Sequence, residues 1–281
     1  MTEFEDGVVV VTGAASGIGL GMARAFAHEG MRLVMADIEP AALAVAAEEL
    51  RSGGAEVVAE CVDVSDGGAV EQLAQRVYGR FGQVAILCNN AGVIENNLAA
   101  WEYSLDDWNW VLGINLMGVV HGIRAFIPRM LAGGQVGHVV NTASFGGLIS
   151  GTANPIYTVS KHAVVALSEN LYNDLTLRDE KIKVSVLCPG WVRTKIADSD
   201  RNRDLGSMLT DKMKRARQRF QSGINTGMEA DAVGMLVVDA VRAERFYIHT
   251  HPEWMDIVRD RFDAIVDGNC PAISRIPNSK K

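Results

Sequence analysis

The stretch VVVVTGAASGIG, Val8 to Gly19, decides the fold of this chain. Four valines before a glycine-rich turn predict a buried β-strand. The following residues place Leu20, Ala23 and Phe26 on one helical face, and Gly30 ends that helix. The glycines therefore lie on a strand-to-helix turn, where backbone N–H groups at the start of a helix can bind a pyrophosphate. A purely structural turn is the alternative.

Composition limits the classes of protein to consider. The chain has 281 residues, enough for one large α/β domain with a sizeable core. Its net charge of −7 argues against a nucleic-acid-binding protein, which is usually basic. No apolar run approaches the roughly 20 residues of a membrane span, and the acidic start MTEFEDG lacks the order of a signal peptide. We therefore expect a cytoplasmic protein without nucleic-acid or membrane partners.

The cysteines and histidines do not have the spacing of a disulfide framework or a metal site. Three cysteines fall at predicted strands and the fourth lies in the C-terminal tail: Cys61, Cys88, Cys188 and Cys270. His249 and His251 are close together but have no acidic or cysteine partner at ligand spacing. The sequence therefore predicts buried thiols and no metal site.

Strand and helix patterns alternate along most of the chain. The predicted strands are Val8–Val11, Arg32–Ala36, Glu56–Cys61, Val84–Cys88, His138–Thr142, Lys183–Leu187 and Phe246–Ile248. Helical patterns lie between them, among them Ala41–Arg51, Val70–Phe81 and Trp108–Met130. This order predicts a doubly wound, Rossmann-type parallel sheet with helices on both faces. No linker or repeat divides the sequence, so we expect one domain over residues 1–281.

The end of the second predicted strand indicates which dinucleotide binds. Asp37 stands 24 residues after Gly13, near the distance of about 20 at which an acidic residue meets the adenosine ribose. A carboxylate there accepts from the ribose hydroxyls of NAD. It would repel the 2′-phosphate of NADP by about 4 kcal/mol at about 4 Å and an effective dielectric near 20. Ile38 follows instead of an arginine, so NAD is the predicted cofactor and NADP the less favoured one. A solvated Asp37 is the alternative.

Further polar positions follow the third and fourth predicted strands. In Asn89-Asn90-Ala91-Gly92 the glycine allows a turn beneath a cofactor, and the Asn side chains can join neighbouring strands. On sequence alone, Asp63, which precedes Val64, can belong to the N-cap region of the next helix. Asn115 lies inside a helical pattern, where Asn is unfavourable unless it makes a special hydrogen bond.

Ser144, Tyr157 and Lys161 form the predicted chemical centre. Tyr157 and Lys161 make a Y-x-x-x-K pattern, and a helix places residues four apart side by side. A nearby cation favours the phenolate and lowers the tyrosine pKa from about 10 toward working pH, where a general acid or base is most effective. Ser144 ends the fifth predicted strand, at the sheet edge where doubly wound folds bind ligands. An ordinary amphipathic helix is the alternative for Y-x-x-x-K alone.

In this order the motifs resemble those of the short-chain dehydrogenase/reductase family over roughly Gly7 to Thr194, beginning with T-G-x-x-x-G-x-G at Thr12–Gly19 and ending with Pro189-Gly190. The resemblance implies a seven-stranded sheet in the order 3-2-1-4-5-6-7 and a homodimer or homotetramer. It also implies that Asp63 lies beside the adenine and that Thr194 holds the nicotinamide carboxamide. The implied cofactor-binding residues are Gly13, Ser16, Gly17, Ile18, Gly19, Asp37, Asp63, Val64, Asn90, Ala91, Gly92, Tyr157, Lys161, Pro189, Gly190, Val192 and Thr194.

The activity implied by the resemblance is NAD-dependent oxidation of a secondary alcohol, or the reverse ketone reduction. Tyr157 would take the hydroxyl proton and Lys161 would lower its pKa and bind the nicotinamide ribose. Ser144 would hold the substrate oxygen, and Asn115 would hold a water in the proton path to Lys161. A 3-oxoacyl thioester reductase using NADPH and a non-catalytic nucleotide-binding scaffold or sensor are the alternatives. Asp37 argues against the thioester reductase, which would use NADPH. The intact Ser-Tyr-Lys set argues against a non-catalytic scaffold or sensor.

Beyond Thr194 the resemblance thins, and the substrate region begins. Residues 195–225 are expected to form a helical substrate lid, which the resemblance implies is mobile. The arginines of this lid include Arg201, Arg203, Arg215, Arg217 and Arg219. Their charge either attracts an anionic substrate or belongs to a solvated helix face.

The predicted substrate pocket is roomy and apolar or aromatic. Its predicted residues are Glu95, Phe145, Ile156, Trp191, Ile196 and Met208. Glu95 is expected at the rim, either as a hydrogen-bond acceptor for substrate or as a solvated side chain. The tail, residues 252–281, has apolar residues at helical spacing and is expected to pack on the lid or on a neighbouring subunit.

Overall fold

The computed structural model describes residues 4–95, 97–150, 154–203 and 211–271. One sheet of seven parallel strands has the order β3-β2-β1-β4-β5-β6-β7. The strands are β1 (Val8–Thr12), β2 (Arg32–Asp37), β3 (Val57–Cys61), β4 (Ile86–Asn89), β5 (Gly137–Thr142), β6 (Ile182–Cys188) and β7 (Tyr247–His249). The predicted Rossmann-type fold class and strand order are thus confirmed.

Helices cover both faces of the sheet. They are α1 (Gly17–His28), α2 (Pro40–Ser52), α3 (Gly67–Phe81), α4 (Leu105–Leu112), α5 (Gly118–Gly133), α6 (Pro155–Leu177), α7 (Asp211–Asn225), α8 (Ala230–Arg242) and α9 (Met255–Val266). Side chains of α1, α2 and α8 share one large core cluster, and side chains of α3 and α5 share a second. Short 3₁₀ helices occur at Ala100–Glu102, Phe145–Gly147, Ile196–Asn202 and Pro252–Trp254.

The valines of β1 are buried on both faces of the sheet. Val9 and Val11 belong to the core cluster under α1 and α8, whereas Val8 and Val10 belong to the cluster under α3 and α5. Successive side chains of a strand point to opposite faces, so a central parallel strand needs apolar residues at every position. This requirement explains the unbroken valine run.

One long helical run crosses the chain from Leu105 to Gly133, with a π-helical turn at Gly113–Met117 between α4 and α5. Among the described helices, this run alone has the length and hydropathy that a membrane-crossing helix needs. In this fold it packs as part of the core, where Phe126 and Met130 are buried against the sheet.

The contact between α1 and α8 depends on two glycines. A Cβ added to Gly21 would lie 2.2 Å from the carbonyl oxygen of Ala230, and one added to Gly234 would lie 2.1 Å from the carbonyl oxygen of Gly21. Both distances fall below van der Waals contact. The two helix backbones therefore touch directly, which closes one face of the core.

We expect Gly21→Ala to lower the free energy of unfolding by about 1–3 kcal/mol or more, because the backbone must separate to admit the methyl group. Gly79→Ala is the matched control, since Gly79 is an exposed position of α3 with no atom within 4 Å of an added Cβ. The control should gain about 0.5–1 kcal/mol from helix propensity. Urea titration of both variants measures the difference, and equal stabilities would show that the helix contact tolerates a methyl group.

Candidate active site

A cavity of about 980 Å³ opens at the carboxyl ends of the central strands. It brings together nearly all of the predicted cofactor residues: Gly13, Ser16, Gly17, Ile18, Asp37, Asp63, Val64, Asn90, Ala91, Gly92, Tyr157, Lys161, Pro189, Gly190, Val192 and Thr194. Gly19 is not among the lining residues. Gly19 is needed for packing of the turn, because an added Cβ would lie 2.1 Å from the carbonyl oxygen of Gly13.

The glycine turn between β1 and α1 can hold an anionic group. Gly13 and Gly17 have φ values of +66° and +56°, in the left-handed region that favours glycine. The N-cap residue Ser16 makes no side-chain cap, and the first turn of α1 has no acidic residue. Backbone N–H groups at this helix start are therefore without a side-chain acceptor, and they suit a pyrophosphate.

Asp37 is fixed at the end of β2 by its own backbone surroundings. One carboxylate oxygen accepts the N–H of Ala15 at 2.9 Å, and the other accepts the N–H of Glu39 at 3.0 Å. The lid brings Arg201 to this edge, a contact that the sequence did not reveal. Arg201 Nε donates to Glu39 at 2.9 Å, and this ion pair holds the pKa of Glu39 below its usual range. Glu39 thus pairs with the nearby Arg201 guanidinium, and Asp37 lines the cavity.

Hydrogen bonds from asparagine side chains join the central strands, as predicted. Thr12 Oγ1 accepts the N–H groups of Asn90 and Ala91 at 2.9 and 3.1 Å. The amide of Asn90 donates to the Thr12 carbonyl at 2.9 Å. Between the next two strands, the Asn89 amide donates to Asn141 Oδ1 at 2.9 Å. These bonds hold the loop after β4 beside the glycine turn.

Asn115 lies in the π-helical turn and is fully buried. Its Oδ1 accepts the N–H of Val93 at 2.8 Å, and its Nδ2 donates to the Val93 carbonyl and to Ser160 Oγ, each at 3.0 Å. The special hydrogen bonds that an interior Asn requires are therefore present. They connect the loop after β4 with α6, the helix that carries the Y-x-x-x-K pattern.

Ser144, Tyr157 and Lys161 lie together in the cavity wall. The Ser144 side chain acts on the Tyr157 hydroxyl and lowers its pKa. Lys161 Nζ lies 5.6 Å from the centroid of the Tyr157 ring and donates to the carbonyl of Thr142 at 2.8 Å. The helical spacing and the end of β5 thus place the three groups at one point, as the pattern predicts.

The pKa values of the two titrating groups are governed by desolvation. Loss of water raises the pKa of Tyr157 to about 12, although the Ser144 side chain acts in the opposite direction. Burial lowers the pKa of Lys161 to about 8. The expected lowering of the tyrosine pKa by the lysine is not what this structure gives, because burial disfavours the charged form of both groups.

Glu95 is not a rim residue, and this corrects the sequence expectation. Its side chain is only 7% exposed. The carboxylate accepts the N–H of Ile156 at 2.9 Å and the N–H of Tyr157 at 3.1 Å. The N-cap residue Asn154 makes no side-chain cap, so Glu95 satisfies backbone donors that the start of α6 leaves free. It is neither solvated nor placed to accept a hydrogen bond from substrate.

We expect Glu95→Gln to lower the pH at which kcat/KM for alcohol oxidation rises, because that rise follows deprotonation of Tyr157. The negative charge of Glu95 raises the pKa of Tyr157, and the neutral amide keeps the shape but removes that charge. Glu95→Ala should instead lower the free energy of unfolding by about 1–3 kcal/mol, because buried N–H groups lose their acceptor. A pH profile identical to wild type in Glu95→Gln would mean that the charge does not reach the phenol.

The predicted substrate residues divide into three groups. Phe145, Trp191 and Ile196 line the cavity. Ile156 is fully buried and is not a lining residue, because the first turn of α6 directs it into the core. Met208 lies outside the described residues.

Long-range packing adds lining residues that the sequence did not single out as pocket residues. They include Asn97, Asn109, Trp110, Arg215, Arg219 and Ile224. Trp110 comes from α4, and the last three come from α7 of the lid, which also contributes Phe220. Phe220 contacts Trp191 edge-on, with ring centroids 5.3 Å apart. A basic and apolar face on the lid was the only signal in the sequence for this wall.

The tail packs behind the substrate wall. Trp254 is buried, contacts Phe145 with ring centroids 5.3 Å apart and stacks on His251 at 4.1 Å. Thr250 Oγ1 accepts the N–H of Gly190 at 2.9 Å. Apolar residues at the start of α9 join the same cluster. In the described chain the tail helix thus supports this wall, and a contact with a neighbouring subunit remains a prediction.

The described residues include no group of three or more His, Cys, Asp or Glu that could hold a metal ion.

Most lid arginines are engaged by carboxylates. The pairs are Arg201 with Glu39, Arg203 with Asp107, and Arg217 with Asp198 and Asp200. These contacts tie the 3₁₀ helix Ile196–Asn202 and α7 to each other and to the sheet edge. These arginines therefore stabilise the structure of the lid. The sequence had suggested either attraction of an anionic substrate or a solvated helix face for them, and neither describes these ion pairs.

The sequence profile of a family described as short chain dehydrogenase matches residues 7–205 of this chain. That range contains every motif position from the glycine turn to Thr194. It ends within the lid, where the resemblance of the motifs also thins.

Individual proteins are similar over nearly the whole chain. The 1-deoxy-11-beta-hydroxypentalenate dehydrogenase of Streptomyces avermitilis is 38% identical over 257 residues, which cover 91% of this chain and 88% of the relative. The CLA biosynthesis dehydrogenase/reductase of Lactiplantibacillus plantarum is 32% identical over 280 residues, which cover 97% and 98%. A crystal structure of a short chain dehydrogenase/reductase from Burkholderia phymatum in complex with NAD has a TM-score of 0.94 at 42% identity, covering 98% of this chain and 99% of that one.

Proposed function

This chain belongs to the short-chain dehydrogenase/reductase family, and we propose that it catalyses the NAD-dependent oxidation of a secondary alcohol to a ketone, or the reverse. It is an oxidoreductase that acts on CH–OH groups. The observation that carries the proposal is the cluster of Ser144, Tyr157 and Lys161 in the wall of one cavity. The same cavity contains the glycine turn and Asp37, so cofactor and substrate can meet there.

The cofactor of this family is NAD(P), and the residues present fit NAD. The start of α1 offers N–H groups to a pyrophosphate. Asp37, fixed by two backbone N–H groups, offers oxygens to a ribose. The similar structure from Burkholderia phymatum contains NAD, which supports the same choice here. When bound, NAD supplies the chemistry of hydride acceptance, and in the reverse direction NADH supplies hydride donation.

The protein's own groups handle the proton. Ser144 holds the substrate oxygen, and Tyr157 accepts the hydroxyl proton as the carbinol carbon is oxidised. The nearby Ser144 hydroxyl favours the phenolate. Lys161, fixed on the Thr142 carbonyl, lies next to the phenol and binds the nicotinamide ribose. Asn115 sits behind this group and positions a water that passes the proton onward.

The substrate is proposed to be a bulky apolar or aromatic alcohol. Phe145, Trp191 and Phe220 supply aromatic lining, and Ile196 adds an aliphatic side chain. A similar protein is named a dehydrogenase of a hydroxypentalenate, which supports a bulky substrate.

We further propose one cytoplasmic domain that assembles as a homodimer or homotetramer, with residues 195–225 as the mobile lid.

A panel of secondary alcohols with NAD, followed at 340 nm, tests the proposal. We expect turnover of aryl and alicyclic carbinols and weaker activity with small alcohols. Turnover confined to 3-oxoacyl thioesters with NADPH would favour the thioester reductase instead. NAD binding without turnover of any alcohol or ketone would favour a nucleotide-binding scaffold or sensor.

A further inference from the structure

The lid helix α7 contributes four lining residues to the cavity. Arg215 and Arg219 come first, and Phe220 and Ile224 follow. Residues four apart lie about one turn above each other, so the arginines form one row and Phe220 and Ile224 form a second row, about 100° further round the helix. Both rows line the cavity, so the wall formed by α7 carries two cations and two apolar side chains.

The apolar pair lies beside the segment that runs from Pro189 to Thr194, where Thr194 is predicted to hold the nicotinamide carboxamide. Phe220 packs against Trp191, and Trp191 directly follows Pro189-Gly190 in the chain. Arg219 directly precedes Phe220, and Arg215 lies about 7 Å from Phe220 along the helix axis, at about 1.5 Å per residue. All three residues line the same cavity, so a ligand with its apolar part against Phe220 can reach the arginines with another part.

Arg215 and Arg219 have no carboxylate partner within ion-pair distance among the described residues. The remaining described arginines of the lid all have one: Arg201 with Glu39, Arg203 with Asp107, and Arg217 with Asp198 and Asp200. Like charges four residues apart on a helix repel each other. The two exposed guanidinium groups therefore form a local positive site on a protein whose net charge is −7.

The acidic residues of the cavity are already engaged elsewhere. Glu39 is paired with Arg201. Asp37 accepts backbone N–H groups of its own loop, and Asp63 accepts the N–H and hydroxyl of Ser65. None of these carboxylates neutralises the pair on α7, so an anion that enters the cavity can.

We propose that Arg215 and Arg219 form a subsite for a carboxylate of the substrate. The substrate class is then a secondary alcohol with an apolar body and an anionic end. This inference rests on the proposed alcohol oxidation. Guanidinium groups make charge-assisted hydrogen bonds with carboxylates, and two of them on adjacent turns can hold one carboxylate. The pyrophosphate of NAD is the other anionic group that enters this cavity, and the test separates the two.

The test compares Arg215→Gln/Arg219→Gln with wild type on 6-hydroxy-6-phenylhexanoate and its methyl ester. The wild-type KM should be at least about tenfold lower for the carboxylate than for the ester. In the double variant the KM of the carboxylate should rise about 10- to 100-fold, whereas the KM of the ester and the Kd of NAD stay unchanged. Added salt should weaken only the carboxylate preference.

The control Arg178→Gln/Arg259→Gln removes two exposed cations that do not line the cavity, and it should leave both KM values unchanged. Equal wild-type KM values for acid and ester would overturn the subsite but leave alcohol oxidation standing. If the double variant instead raises the Kd of NAD and leaves the carboxylate preference unchanged, the two arginines bind the pyrophosphate, and the carboxylate subsite is overturned too. If neither probe is oxidised, calorimetry with NADH decides. Binding of the carboxylate that is lost in the double variant supports the subsite, and no binding overturns it.

Discussion

Tyr157→Phe is expected to lower kcat for alcohol oxidation by at least 10²- to 10⁴-fold, the usual contribution of general acid–base catalysis. The variant keeps the aromatic ring and its packing but removes the group that accepts the substrate proton. It also removes the hydroxyl on which Ser144 acts. The Kd of NAD should barely change, because the phenylalanine ring still fills the same part of the cavity wall.

Tyr172→Phe is the matched control for this experiment. Tyr172 lies on the same helix α6 with 42% of its surface exposed and is not a cavity residue. The control should retain wild-type kcat at every substrate concentration. Retention of more than a tenth of wild-type kcat by Tyr157→Phe, with NAD bound normally, would mean that another group accepts the proton.

Lys161→Met is expected to weaken NAD binding about 10- to 100-fold and to lower kcat as well. Hydrogen bonds to a charged group contribute about 1.5–3 kcal/mol, which corresponds to that range of affinity. The methionine keeps the length of the stem but removes the ammonium that donates to the Thr142 carbonyl. Equilibrium titration of NAD and steady-state kinetics measure the two effects separately.

The stability of Lys161→Met distinguishes a functional loss from unfolding. Burial lowers the pKa of Lys161 to about 8, so keeping the ammonium charged below that pH costs folding free energy. The substitution removes this cost, and at pH 7 we expect a loss of no more than about 1 kcal/mol, from the hydrogen bond alone. Lys181→Met is the control, since Lys181 is an exposed lysine that donates to a backbone carbonyl, that of Gly134. Unchanged NAD affinity in Lys161→Met would mean that the Lys161 ammonium does not bind the cofactor.

The pKa of Tyr157 shows where sequence reasoning stops at the site. A spacing of four residues correctly places the lysine beside the phenol, because helix geometry is local. The direction of the pKa shift depends on how much water the surrounding chain excludes, and the helix alone does not contain that information. The resulting values, about 12 for Tyr157 and about 8 for Lys161, follow from packing by several distant segments.

By itself the sequence determined the sheet, the position of the site at its carboxyl edge and the choice of dinucleotide. The signals were the valines of β1, the glycine turn and Asp37. They are local, because each depends on periodicity or on a short spacing between residues. Helix and strand geometry then carries such patterns directly into three dimensions.

Only the tertiary structure decided what Glu95, Asn115 and the tail do. Glu95 caps a helix whose first turn is 62 residues away along the chain, and Asn115 bonds to a serine 45 residues away. Trp254 supports Phe145 from the far end of the sequence. A buried polar group takes its partner from whatever donor or acceptor packing brings to it, and that pairing leaves no periodic trace among neighbouring residues.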